Sequence, residues 1–137
     1  MAKIDAKKEA TKQERWQKIA KSAAMQSGQF SIPKVDLPVD VCELCERLEG
    51  FDHIFICWEE TDSTREIYEV CKKIKVQNLP QKLAIIIGPE GGISADEVKM
   101  LQGCNEHSHL VSLGSSILRT ETAGLVASAI IKFLTSC

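Results

Sequence analysis

The sequence predicts an α/β domain, a parallel sheet with helices on both faces, and three observations carry that reading. The segments "HIFICW" (53–58), "LAIIIG" (83–88) and "HLVSLG" (109–114) are short, mainly apolar and of strand length. They lack strict alternation of apolar and polar residues, as expected of strands buried on both faces. Each is followed by a stretch with apolar residues at three- and four-residue steps, the pattern of a crossover helix.

From the N-terminus, residues 7–27 read as an amphipathic helix. Trp16, Ile19, Ala20, Ala23, Ala24 and Ser27 recur at helical spacing between lysines and glutamates, and Gly28 stops the helix. "FSIPKVDLP" is extended, because each proline pushes its predecessor out of helical geometry. Asp40 with Glu43 resembles a capping pair for a short helix that Gly50 closes. "EETDSTRE" opens the next helix, which carries Ile67, Val70 and Ile74. Ser94 and Glu97 form an S-x-x-E capping box for a helix ending near Gly103. Thr120 caps a last helix, "ETAGLVASAIIKFL", which is apolar nearly all round. Such a helix is covered on more than one side, and a second copy of the chain is the expected cover.

The 137 residues are the length of one domain, and 44% hydrophobic with 26% charged residues is ordinary for a globular chain. A net charge of −2 argues against a global basic footprint for nucleic acid. No apolar run reaches the roughly 20 residues that span a bilayer, and the charged N-terminus lacks a signal-peptide core, so the expected location is cytoplasmic with reduced thiols. Six cysteines include one C-x-x-C, Cys42 and Cys45, without the second close pair or histidines of a structural zinc site. No metal is expected, and the thiols read as small core residues.

Chemistry is expected where the strands end, since open α/β sheets bind ligands beyond the carboxyl ends of their strands. "IIIGPEGGIS" (85–94) runs a strand through three glycines and a proline into a capped helix. Gly88, Gly91 and Gly92 remove the β-carbons from a backbone against which a ligand can lie. Both G-x-x-x-x-G-K-[ST] and G-x-G-x-x-G are absent, so the ligand predicted is nucleotide-like without phosphates, its adenine read by backbone groups. Glu90 either contacts the ligand or bonds local N–H groups. Glu121 complements the dipole of the last helix, and Arg119 beside a glycine loop suits an anion or a carbonyl.

"ERWQKIAKSAAMQSGQ" (14–29), "IIIGPEGGIS" (85–94) and "LGSSILRTETAG" (113–124) together resemble the bacterial ribosomal RNA uracil-N3 methyltransferases of the RsmE family, within the SPOUT class. The resemblance implies S-adenosylmethionine as methyl donor, 16S ribosomal RNA as substrate, a trefoil-knotted α/β domain over residues 1–137 and a homodimer. It carries the donor site to Ile87, Gly88, Glu90, Gly91, Gly92, Leu113, Gly114, Ser115, Ile117 and Leu118. Arg119 becomes the catalytic candidate, placed to stabilise oxygen charge on the deprotonated uracil or to clamp the RNA backbone. No general base presents itself. Members of the family begin with a small β-rich RNA-binding domain, and the first strand and helix of the catalytic domain precede the "ERW" helix. This chain starts near that helix, so it is expected to bind ribosomal RNA weakly alone, its basic residues clustering at Lys3, Lys7, Lys8 and Lys12. The alternatives are a ribose 2′-O-methyltransferase of the same class, whose last motif differs from "ILRTETA", and a non-catalytic dimerisation or cofactor-binding module.

Overall fold

The structure is a computed structural model and describes residues 6–58, 65–77, 81–89, 92–112 and 120–136. The chain divides into two compact units, Met1–Asp40 and Val41–Cys137.

In the first unit, helix α1 (Ala6–Gln26) carries the segment after it as an extended strap. Two glutamines four residues apart hold the strap. Gln13 Nε2 donates to the Val35 carbonyl at 2.6 Å, and Gln17 Nε2 to the Pro33 carbonyl at 2.9 Å. Gln17 Oε1 also accepts from the Val35 N–H at 2.8 Å. Residues i and i+4 share one helix face, so the strap fixes which side of α1 is covered. Gly28, at φ 71°, ends the helix as its sequence position predicts.

In the second unit, a parallel sheet has the order β2-β4-β1-β3. The strands are β1 (His53–Cys57), β2 (Arg65–Glu66), β3 (Leu83–Ile87) and β4 (Ser108–Ser112). Its helices are α2 (Val41–Leu48), α3 (Ile67–Gln77), α4 (Ala95–Gly103) and α5 (Thr120–Ser136). Strand β1 lies between β4 and β3, and its Ile54, Phe55 and Ile56 are fully buried. Alternation along it feeds two cores. Phe55 joins Val111, Ile67, Val70, Cys71 and Ile74 of α3, and Ala127 and Ile131 of α5. Ile54 and Ile56 join Leu48 of α2, Ile93, and Val98 and Leu101 of α4. The period-two geometry of a strand thus turns one apolar run into two helix-covered faces, the predicted architecture.

Three differences from the sequence reading have physical causes. Arg65 and Glu66 do not open α3 but pair in parallel with Val111 and Ser112, because an open edge of β4 offers ladder partners that local propensity ignores. Cys45 forms a disulfide with Cys104, 59 residues along the chain, tying α2 to the C-cap of α4. That replaces the expectation of reduced, packed thiols at these two positions, while Cys71 is the buried core thiol expected, its titration raised by burial. Helix α5 buries Ala123, Ala127 and Ile131 on a four-residue repeat, yet Leu125 stays 74% exposed. The apolar surplus read from its sequence is a face that this unit leaves open.

Candidate functional site

The parallel register brings three strand ends to one level. Cys57 pairs with both Ile87 and Val111, so Trp58, Gly88 and Ser112 follow at the same carboxyl edge. Trp58 continues the ladder, its N–H donating to the Val111 carbonyl at 3.2 Å.

At this edge the glycine loop folds back tightly. The Gly92 N–H donates to the Pro89 carbonyl at 2.8 Å, and Gly92 sits at φ 82°, a conformation that side-chain-bearing residues rarely adopt. Gly88 is bare for a different reason. A β-carbon there would collide with the side chain of Ile93 and lie 3.2 Å from its backbone nitrogen. Ile93 cannot easily give way, being 7% exposed within the α2/α4 core. Trp58 also pins it, as the indole Nε1–H donates to the Ile93 carbonyl at 3.0 Å.

Ser94 then starts α4 with the predicted capping box. Its hydroxyl accepts from the Glu97 N–H at 3.2 Å, and the Glu97 carboxylate accepts from the Ser94 N–H at 3.5 Å. The capping box therefore takes up part of the helix's donor set, while Gly88 and Gly92 bring bare backbone to this edge. A flat, uncharged group such as a purine can lie against such a surface and be read by N–H and C=O groups.

Of the site residues read from the sequence, Ile87, Gly88 and Gly92 stand together at this edge. Glu90, Gly91, Leu113, Gly114, Ser115, Ile117, Leu118 and Arg119 lie outside the described residues. The side chain of Glu121 does too. Trp58 is the residue that sequence reasoning missed. It closes the apolar run of β1 and reads as core, and only the fold shows its indole reaching a loop 35 residues away.

The opposite, amino edge of the sheet holds a second polar cluster. Asn105 Nδ2 donates to the carbonyls of Leu48 at 3.1 Å and Phe51 at 2.8 Å, and its Oδ1 accepts from the His107 N–H at 2.8 Å. His53 Nδ1 and His109 Nε2 approach to 3.1 Å, with the His107 ring centroid 5.4 Å from that of His53. Burial, and then His107, hold His53 below the usual imidazole range, opposed by Asp52. Among the described residues no group of three or more His, Cys, Asp or Glu converges as a metal site. The same holds for membrane spans: no described helix is long and apolar enough to cross a bilayer.

Comparison with known proteins bears on the carboxyl-edge site. The family model for an RNA methyltransferase domain matches residues 1–132. The ribosomal RNA small subunit methyltransferase E of Bacillus subtilis is 36% identical over 135 residues, covering 98% of this chain and 52% of that protein. The enzyme of the same name from Buchnera aphidicola is 35% identical over 120 residues, 86% of this chain and 43% of that protein. A putative methyltransferase from Legionella pneumophila, solved with S-adenosylmethionine bound, superposes with a TM-score of 0.80 at 29% identity, covering 97% of this chain and 50% of that one. The chain thus spans about half the length of the curated relatives it matches.

Proposed function

Because the chain belongs to the RNA methyltransferase domain family, we propose that it is the catalytic portion of a methyltransferase that transfers a methyl group from S-adenosylmethionine to N3 of a uridine in small-subunit ribosomal RNA. One observation carries the reading: a tight glycine turn stands at the carboxyl edge of the sheet, with Gly92 at positive φ and Gly88 packed against Ile93, where an adenosine can meet backbone groups. S-adenosylmethionine, when bound, supplies an electrophilic methyl group. By the family resemblance, Ile87, Gly88, Glu90, Gly91, Gly92, Leu113, Gly114, Ser115, Ile117 and Leu118 would hold it.

The chain's own contribution is orientation and charge. Holding a base and a donor in line replaces a bimolecular encounter with a positioned one. Arg119, the residue directly before α5 in the sequence, stabilises the oxygen charge that develops as uracil loses its imide proton. The uracil-N3 assignment rests on the shared name of the small-subunit relatives and on "ILRTETA" at 117–123.

The same reading extends to architecture. Residues 1–137 read as one methyltransferase domain, since the family model spans both compact units, with a SPOUT-type trefoil knot near the C-terminus. The open face of α5 around Leu125 supports a homodimer, and the location is cytoplasmic. The decisive experiment is calorimetric titration of the chain with S-adenosylmethionine and its demethylated product, followed by tritium transfer to small-subunit particles. Saturable binding with transfer to a uridine base supports the proposal. Transfer to ribose hydroxyls would favour the 2′-O reading, and binding with no transfer under any complementation would favour the module.

A further inference from the structure

We infer that the outer face of α1 is an RNA-binding surface that docks the substrate's phosphate backbone. The inference rests on the ribosomal RNA reading above and names a contact surface for it. Helix α1 carries six basic residues, Lys7, Lys8, Lys12, Arg15, Lys18 and Lys21, against two acidic ones, Glu9 and Glu14. Its net charge is +4, while the whole chain carries −2, so everything outside α1 carries −6. The overall acidity therefore hides a polarised molecule.

Helix geometry then decides where those charges face. Lys8, Lys12, Arg15 and Lys18 follow at steps of four, three and three, which stacks them along one stripe. The strap occupies the other side, bonded to Gln13 and Gln17, where Glu9 and Ala20 are half-buried and Ala24 is buried. All six basic side chains are exposed. Among the described residues, Lys8, Lys12, Arg15, Lys18 and Lys21 form no ion pair. Read along the chain, the basic cluster stops at Lys12; read around the helix, it runs on to Lys18. From Lys8 to Lys18 the stripe is about 15 Å long, at about 1.5 Å per residue. That length spans several successive phosphates of an RNA strand. Neutralising phosphates and releasing their counterions is the largest sequence-independent source of RNA affinity.

A basic helix can also lie on an anionic membrane, but that requires a continuous apolar face beside the charged one. The large apolar side chains that α1 exposes, Trp16, Ile19 and Met25, do not form such a face: Ile19 falls among the basic stripe and Met25 lies apart, while Gln13 and Gln17 bond the strap. The observations favour RNA.

The test uses the full chain and a labelled transcript of small-subunit ribosomal RNA, with affinity measured across a salt series. About four phosphate contacts give a slope of log K against log salt of about −3 to −4, or roughly 100-fold weaker binding between 50 and 200 mM salt. The variant Lys8→Gln/Lys12→Gln/Arg15→Gln/Lys18→Gln keeps strong helix formers and should weaken binding at least tenfold and flatten the slope by about three. Lys72→Gln/Lys73→Gln/Lys75→Gln on α3 should leave both unchanged, and circular dichroism should report the same helix content throughout. Equal affinity and slope in the α1 variant, no measurable RNA binding by the wild-type chain, or preference for phosphatidylglycerol vesicles over RNA would each overturn the inference. Calorimetry with the demethylated donor, run on the same proteins, reports the methyl-donor site separately. Loss of RNA binding with intact donor binding locates the fault in α1, and absent donor binding in the wild type locates it in the functional reading.

Discussion

Replacing Gly88 by alanine adds one methyl group, and the structure gives that methyl nowhere to go. Its nearest neighbours would be the Ile93 side chain, in collision, and the Ile93 backbone nitrogen at 3.2 Å. Ile93 is held from three directions: by the α2/α4 core, by the Trp58 indole on its carbonyl at 3.0 Å, and by Ser94, which starts α4. Relief must come from an off-rotamer Ile93 or from a displaced loop. Overpacking of this kind costs about 1–3 kcal/mol. For a chain of this size each kcal/mol lowers Tm by roughly 4 °C, so a fall of roughly 4–12 °C is expected in thermal denaturation followed by circular dichroism. Affinity for the demethylated donor should fall with it, because the same shift moves the wall of the pocket. The double variant Gly88→Ala/Ile93→Ala isolates the cause. Ile93→Ala alone costs about 2–5 kcal/mol, but in combination the collision is gone, so the double should be about 1–2 kcal/mol more stable than the two effects added. Strict additivity, or a Gly88→Ala protein as stable as wild type, would refute the steric account of this glycine.

Three further outcomes follow from contacts elsewhere. Trp58→Phe keeps the ring but strands the Ile93 carbonyl, so it should cost about 1–2 kcal/mol and weaken donor binding up to about tenfold; calorimetry showing wild-type affinity would remove Trp58 from the site. Asn105→Ala deletes three hydrogen bonds that join the ends of α2 and β4, and about 2–4 kcal/mol should be lost in urea unfolding with donor affinity unchanged, since the two sites lie at opposite edges of the sheet. His53 binds its proton less readily folded than unfolded, so its contribution to stability is complete above about pH 6.5 and is lost as pH falls below that, with Asp52, His107, His109 and Glu106 as the titrating or charged groups around it. His53→Gln should flatten the Tm-against-pH profile between about pH 7 and 5, and an unchanged slope would assign the acid sensitivity to another group.

The helix and strand pattern was legible because each element obeys a local rule. The Ser94–Glu97 box starts α4 where the sequence puts it, and Gly28 ends α1 at a positive φ. Strands β1 and β3 fall within the apolar runs that announced them. Elements created by tertiary pairing left no such trace. The two-residue strand at Arg65 exists because β4 has a free edge, and nothing in "STRE" encodes a parallel partner 46 residues downstream. Cys45 likewise meets Cys104 through the packing of α2 against α4, whereas the sequence reading took both thiols as small core residues.

The site was half legible for a related reason. Glycines announce a bare backbone in the sequence itself, so Gly88 and Gly92 could be read directly, and their reasons differ as only the structure could say: one avoids Ile93, the other needs positive φ. Trp58 could not be read, because its role lies in a hydrogen bond across 35 residues and its neighbours in β1 are all core. The basic face of α1 was hidden by averaging. Net charge sums the whole chain, whereas a polyanion meets one face of one helix, and the screening length of about 8 Å at physiological salt decides which charges it senses. Four cations on a stripe of about 15 Å stand about 5–6 Å apart along the axis, each within the screening length of the next, so neighbours act on a phosphate backbone together. Acidic residues elsewhere, unless within that distance, do not cancel them. A mildly acidic chain can therefore carry a surface made for RNA, and the salt dependence of its binding will report the charge of α1 rather than the charge of the protein.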